Sequence, residues 1–168
     1  QKSLELAAYD NPSLTQGWQN RFLQANGATD VFAGFAPQSQ TPISLMGDAG
    51  VAVFNNINNV VLENIGDIKR SDYLEVLRRL HSTSDHLWQR TALHSLDASE
   101  QLQSIDQNTP VTYPNTGFGA RMRVLAQLLK ANVPIQTANV DFDGNLDVHS
   151  AAGIVDGTMA NNFKSLKD

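Results

Sequence analysis

The 168-residue chain contains no cysteine. That excludes disulfides, thiolate metal ligands and a cysteine nucleophile, and leaves the redox compartment open. Charge is also sparse. Only 17% of residues are charged, with 12 Lys and Arg against 17 Asp and Glu, for a formal net charge of −5. The basic residues are scattered and adjacent only at Lys69-Arg70 and Arg78-Arg79. A nucleic acid or an anionic membrane surface would need them clustered, so neither is an expected partner. No apolar run approaches the roughly 20 residues that span a bilayer. The sequence opens at Gln1 with no initiator methionine and no signal-like stretch. Removal of a leader, or excision from a longer protein, is therefore expected. No segment repeats, and NNINN at 55–59 is the densest run of amides. Ser44, Ser71 and Ser150 lack the G-x-S-x-G context of a serine hydrolase. GFG at 117–119 is too short for a phosphate loop and lacks its lysine.

What is present fits one globular domain, 41% hydrophobic and long enough for a real core. The stretch 3–12 reads as a short helix stopped before Pro12. Thr15 is placed to cap a second helix over 15–25, with Trp18, Phe22 and Leu23 on one face and Asn26-Gly27 ending it. Short apolar pieces at 31–35, 43–46 and 51–54 suit short strands or an extended excursion.

Residues 71–106 contain neither Gly nor Pro and read as helix, with Ser71 or Asp72 as cap and Glu75 completing a capping box. Tyr73, Leu77, Leu80, Leu87 and Leu102 form a narrow stripe. One long helix, or two with a bend near 95–99, is expected on the outside of the fold.

The last third has α/β character. Thr116 can cap a helix over 118–131 that carries the stripe Phe118, Met122, Leu125 and Leu129, widened by Val124, Ala126 and Leu128. So apolar a helix should lie between a sheet and another layer. Residues 135–142 read as a strand with Ile135, Val140 and Phe142 inward. Residues 150–167 then form a closing helix packing Ile154, Met159, Phe163 and Leu166.

Between these elements, Asp141, Asp143, Asp147 and His149 gather three carboxylates and an imidazole within nine positions. Acids just past a strand end are where an α/β enzyme keeps its chemistry. Oxygen-rich ligands with one histidine suit zinc, manganese or another divalent cation, which can polarise a phosphoryl or sulfuryl oxygen. A solvated acidic loop capping the next helix is the plainer alternative. Asp141, Asp143, Asn145 and Asp147 also stand at the alternate spacing of calcium loops. Leu146 and Ala152 occupy the places where an EF-hand needs Gly and Glu, so only a looser calcium turn survives. His81, His86 and His94 lie five and eight apart, not the three or four that a metal pair on one helix face needs. Arg121 and Arg123 could bind an anion, but a solvated edge or an ion pair with the acidic loop fits them better.

The run YPNTGFGARMRVLAQLLKA, followed by a strand and G-N-L-D-V-H-S at 144–150, resembles the core of the domain of unknown function 1501 family. Those are mostly exported bacterial proteins related to the alkaline phosphatase and sulfatase superfamily. Gly144, Asp147 and His149 match the family's Gly-Gly-aromatic-Asp-Thr-His motif, while Asn145, Leu146 and Val148 depart from it. GWQNRFL, with Gly17, Trp18 and Arg21, is similar to its Gly-Trp-Leu-x-Arg-Tyr-Leu segment. The likeness is good over 113–166, thin over 14–24 and only compatible between. It implies part of an alkaline-phosphatase-like three-layer sandwich, with 1–112 an irregular and helical insertion-like part and 113–168 the α/β core part. It also implies a periplasmic or secreted hydrolase of small anionic esters, with Asp147 and His149 as metal ligands or acid/base groups. Asp141 and Asp143 are then chiefly structural. The family's Gly-Gly-x-Asp-Gly turn and Thr-Asp-His-Gly segment do not occur here, so the resemblance implies an internal fragment or a divergent, inactive member. The rival class is a non-catalytic exported binding or structural module, with or without calcium at 141–147.

Overall fold

The computed structural model describes residues 2–7, 13–84, 86–144, 153 and 156–167. Among them the order of elements is α1 (Lys2–Leu6), α2 (Trp18–Ala25), β1 (Gly34–Ala36), β2 (Val51–Val53), α3 (Arg70–His81), α4 (Leu87–Gln103), α5 (Gly117–Lys130), β3 (Thr137–Ala138) and α6 (Thr158–Lys167). Single 3-10 turns cover Ile43–Leu45 and Ile57–Asn59. The fold is α/β, built on a small parallel sheet in the order β2-β1-β3. Phe35 pairs with Ala52 on one side and Ala138 on the other.

Side-chain alternation along the strands sorts the core into two layers. Phe35 and Ala52 face one way, joining Phe32, Phe54 and Ile57 with Ala98 and Leu102 of α4 and Val124 and Leu128 of α5. Ala36, Val51 and Val53 face the other way, with Leu23 of α2 and Leu45. The central strand is therefore buried throughout. Gly34 is required there, because a Cβ would stand 2.6 Å from Val51 Cγ1 and 2.7 Å from Leu23 Cδ1. The strands at 34–36 and 51–53 belong to the stretch read as insertion-like, yet they share one sheet with β3.

Several local expectations are corrected. α2 starts after Gly17, not at Thr15, and has no side-chain cap. Gly17 lies directly on the 3-10 turn, where a Cβ would meet Ser44 O at 2.1 Å, and its N–H donates to Met46 O at 2.8 Å. That docking turns Gln19, Asn20 and Leu23 inward and leaves Trp18 and Phe22 exposed. Asn20 is buried because its amide bonds the carbonyls of Leu45 and Ala49 and accepts from Ala49 N–H. The piece at 43–46 is a 3-10 turn, not a strand.

The long helix breaks after His81, not near 95–99. Ser82 and Thr83 hydroxyls turn back onto the carbonyls of Arg79 and Leu80, competing with the helical ladder. Lys69 occupies the N-cap of α3 without a side-chain bond. Asn64 Oδ1 instead accepts the Arg70 N–H at 2.8 Å, doing from six residues upstream what Ser71 or Asp72 was expected to do. Arg78 ties the two helices together by ion pairs to Asp97 and Glu100, each at 2.7 Å. Leu80 of the expected stripe is exposed, whereas Leu102 is fully buried.

In α5 the inward face is Gly119, Val124, Gln127 and Leu128, and Leu129 points to solvent. β3 covers two residues where a strand over 135–142 was expected. The Gln19 amide donates to Thr137 Oγ1 and Ala138 O, and Asn139 turns its amide to Ser44 Oγ, ending the strand. Phe142 consequently packs edge-on to Phe118, with ring centroids 5.5 Å apart. In α6, Ala160 is buried while Phe163 and Leu166 are exposed. Ile154 lies outside the described residues.

Candidate functional site

Parallel strands put all their carboxyl ends on one edge of a sheet, and a helix leading into such a strand begins at that edge. Residues 37–39, 54–59 and 139–143 therefore share an edge with the start of α5. A cleft of about 450 Å³ opens there. Pro37, Gln38 and Ser39 form one wall, Asn55, Asn56 and Asn59 a second, and Gly117, Ala120 and Arg121 of α5 the third.

The start of α5 is built from its own sequence. Thr116 Oγ1 accepts the Gly119 N–H at 3.0 Å. Gly119 is obligatory, because a Cβ there would stand 2.2 Å from Pro114 O. Gly117 serves a close approach too, since its Cβ would meet Asp143 Oδ2 at 2.0 Å. The opening N–H groups of a helix have no intrahelical acceptor and carry a partial positive charge. Arg121 stands one turn on. Its Nη1 donates to Asp143 Oδ1 at 2.6 Å and to Asp141 O at 2.9 Å. Asp143 is thus the counter-ion of Arg121, one of the two alternatives expected for that arginine, while Arg123 lies exposed with no partner among the described residues.

The amides of the 55–59 loop are ordered by one another. Asn56 Oδ1 accepts Asn58 N–H, and Asn55 Oδ1 accepts from the Asn59 amide. Asn58 Oδ1 accepts from Gln107 Nε2 at 2.6 Å. Gln38 donates to Gln40 O, while its shielded Oε1 has no partner among the described residues.

Asp141 and Asp143 are not among the residues that line the cleft and reach it only through Arg121, Asp141 by its carbonyl and Asp143 by its carboxylate. Asp147 and His149, with Asn145, lie outside the described residues. Among the described residues no three His, Cys, Asp or Glu side chains converge as a metal site. Asp141 and Asp143 do not fit a cation by themselves, because the Asp143 carboxylate is already held by Arg121. The other histidines stand apart from the cleft. His81 packs edge-on to Trp88, His86 precedes α4, and His94 lies with Asp30 and Asp97 around a separate hollow. Ser44 is buried and accepts from Asn139.

Sequence reasoning passed over Gln38, Asn55, Asn56 and Asn59. The available signal was positional: each amide follows within a few residues of a short apolar piece, where a parallel strand would end. No helix among the described residues is long and apolar enough to cross a membrane. Compared with protein-family models, curated proteins and solved structures, the chain gives no match.

Proposed function

We propose that this chain carries the substrate-binding part of a metal-dependent hydrolase of the alkaline phosphatase and sulfatase type, acting on a phosphate or sulfate ester. The observation that supports it is the cleft at the carboxyl edge of the sheet, closed by the amino end of α5 and by Arg121. An oxyanion seated there meets helix N–H groups and a guanidinium that can give two parallel hydrogen bonds. The sheet and its flanking helices would form part of a three-layer sandwich, with the α3–α4 hairpin as the insertion. Asp147 and His149 remain the proposed metal ligands or acid/base groups, for zinc or manganese, and the expected compartment is periplasmic or secreted.

The test is metal content by plasma mass spectrometry together with hydrolysis of p-nitrophenyl phosphate and sulfate, for the parent and an Asp147→Ala/His149→Ala variant. About one zinc or manganese per chain, lost in the variant, is the expected result for two strong protein ligands on one ion. Calcium that survives in the variant and is lost on replacing Asp141 and Asp143 would favour the binding-module reading. That outcome needs Asp143 to leave Arg121.

A further inference from the structure

We propose that the ligand of this edge carries two oxyanion groups, the second held by Arg123 in an adjoining cleft. The inference rests on reading the first cleft as an oxyanion site and extends it to the kind of ester it takes.

A second cleft of about 420 Å³ lies beside the first, and both are bordered by Asn55 and Asn56. Its other walls are Asn58, Gln107 and Asn108 on one side and Arg123 on the other. On a helix, residues two apart leave the axis about 200° from each other. Arg121 and Arg123 therefore depart on opposite flanks of α5, while Ala120 and Val124 between them meet the asparagine loop. One guanidinium results in each cleft, separated by the shared asparagines.

The Arg123 guanidinium sets the sign of the ligand, and the asparagine donors add to it. The side-chain oxygens of Asn55, Asn56 and Asn58 are consumed within the protein, by Asn59, by the Asn58 N–H and by Gln107. An acceptor facing a backbone N–H can only be oxygen, which fixes the orientation of Asn56. Each oxygen keeps at most one lone pair, while the NH₂ groups of these three residues have no acceptor among the described residues. Gln107, Asn108 and Gln127 in the same cleft donate their NH₂ groups to Asn58, Asp106 and Gln107 O and so add acceptor oxygens. The selection of oxygen-rich anions over neutral polyols or cations therefore rests on the uncompensated guanidinium, with the asparagine donors beside it. Arg121 keeps a carboxylate partner and Arg123 has none among the described residues, so the second cleft is the less neutralised of the two. A single ester group can fill only one cleft. A polysulfated saccharide or a polyphosphate chain can fill both.

Binding is measured calorimetrically at low and at physiological salt. The probes are a disaccharide sulfated on one sugar, its counterpart sulfated on both, orthophosphate and tripolyphosphate. For the parent, one of the two probes with several oxyanion groups binds at least about tenfold tighter than its one-group partner, as a charge-assisted contact of about 1.4 kcal/mol gives. Which pair shows the gain identifies a saccharide or a polyphosphate. Arg123→Gln abolishes the gain and leaves the one-group probes bound through Arg121 alone. Asn58→Asp keeps an acceptor for Gln107 while replacing the donor by a carboxylate, and lowers the gain as well. Equal affinity for one and two groups in the parent overturns the proposal, and so does a gain that persists in Arg123→Gln. If the one-group probes bind through Arg121 with no gain from a second group, the hydrolase reading stands and this one falls. If they do not bind at all, yet a probe with several groups binds and needs Arg123, the second subsite stands and the reading of the first cleft falls.

Discussion

Replacing Thr116 by alanine removes the side-chain cap of α5 and tests whether that cap holds the helix end that borders the cleft in shape. Two of the helix's first three residues are glycine, Gly117 and Gly119. Each is roughly 0.8–1.0 kcal/mol less favourable than alanine inside a helix, so the first turn has little intrinsic tendency to form. Gly119 is imposed by the Pro114 backbone carbonyl and cannot be exchanged for a better helix former, whereas a side chain at Gly117 would have to displace the Asp143 carboxylate. The Thr116 hydroxyl at 3.0 Å from Gly119 N is what remains to fix the turn. Loss of such a cap costs about 1 kcal/mol, within a range of about 0.5–2. For a chain of this size that corresponds to a fall in Tm of about 2–4 °C. Thr116 is exposed, so the loss is not mixed with a packing defect. Hydrogen exchange gives the sharper readout: protection of the Gly119 amide should fall at least about fivefold, the equivalent of 1 kcal/mol. Thr116→Ser should restore it. Unchanged Gly119 protection in Thr116→Ala would refute the claim that this hydroxyl organises the site.

Four further outcomes are expected. Phe35→Ala empties the centre of the sheet, where the ring lies 5.0 Å from that of Phe54, and should cost about 3–5 kcal/mol in urea unfolding; under 1 kcal/mol would mean the layers are misassigned. Gly34→Ala drives a methyl between Val51 and Leu23 and should cost about 1–3 kcal/mol by overpacking, measured in the same way. Asp143→Asn releases Arg121 from its 2.6 Å partner and should raise sulfate affinity by roughly two- to fivefold, the scale of an exposed pair; weaker binding would show that Asp143 positions the arginine for its ligand. The Asp106 carboxyl is held below the usual aspartate range, first by its bond from Lys130 and then by the Asn108 N–H. Its folded pKa lies below the unfolded one, so the stabilisation is complete above the unfolded pKa and disappears as pH falls through the folded one. A carbon-detected titration of Asp106 in the parent and in Lys130→Met should show the midpoint rising when the ammonium is removed.

The parts of this fold that sequence alone could reach are those governed by local chemistry. Thr116 before Gly-Phe-Gly, and Asn132 with Pro134 after the last leucine, marked the ends of α5 to within a residue or so. The Asn132 turn indeed takes φ 56. Asn26-Gly27 closed α2 for the same reason, with Gly27 at φ +63. Long-range contacts were not legible. Trp18 and Phe22 look like an apolar face, but the docking of Gly17 on the 43–45 turn rotates them outward and buries two amides instead. Leu129 and Phe163 were misplaced likewise, because a broad apolar helix does not state which of its faces meets the sheet. A strand of two residues leaves almost no periodicity to detect, which is why 135–142 read as one continuous strand. At the site, the acidic run drew attention to Asp141 and Asp143, and one of them proves to be the counter-ion of Arg121. The amides at 38 and 55–59 come together only through strand order, which sequence spacing does not encode.

The central claim is that the carboxyl edge of the sheet is an oxyanion site, and an amide-resolved NMR titration with sodium sulfate tests it most directly. The account predicts saturable shifts at Gln38, Asn55, Asn56, Gly117, Phe118 and the Arg121 guanidinium, lost at Gln38, Gly117 and Phe118 in Arg121→Gln whatever response remains at Asn58 and Arg123. Shifts scattered over the surface in proportion to ionic strength, or a saturable response centred elsewhere and indifferent to Arg121, would contradict it.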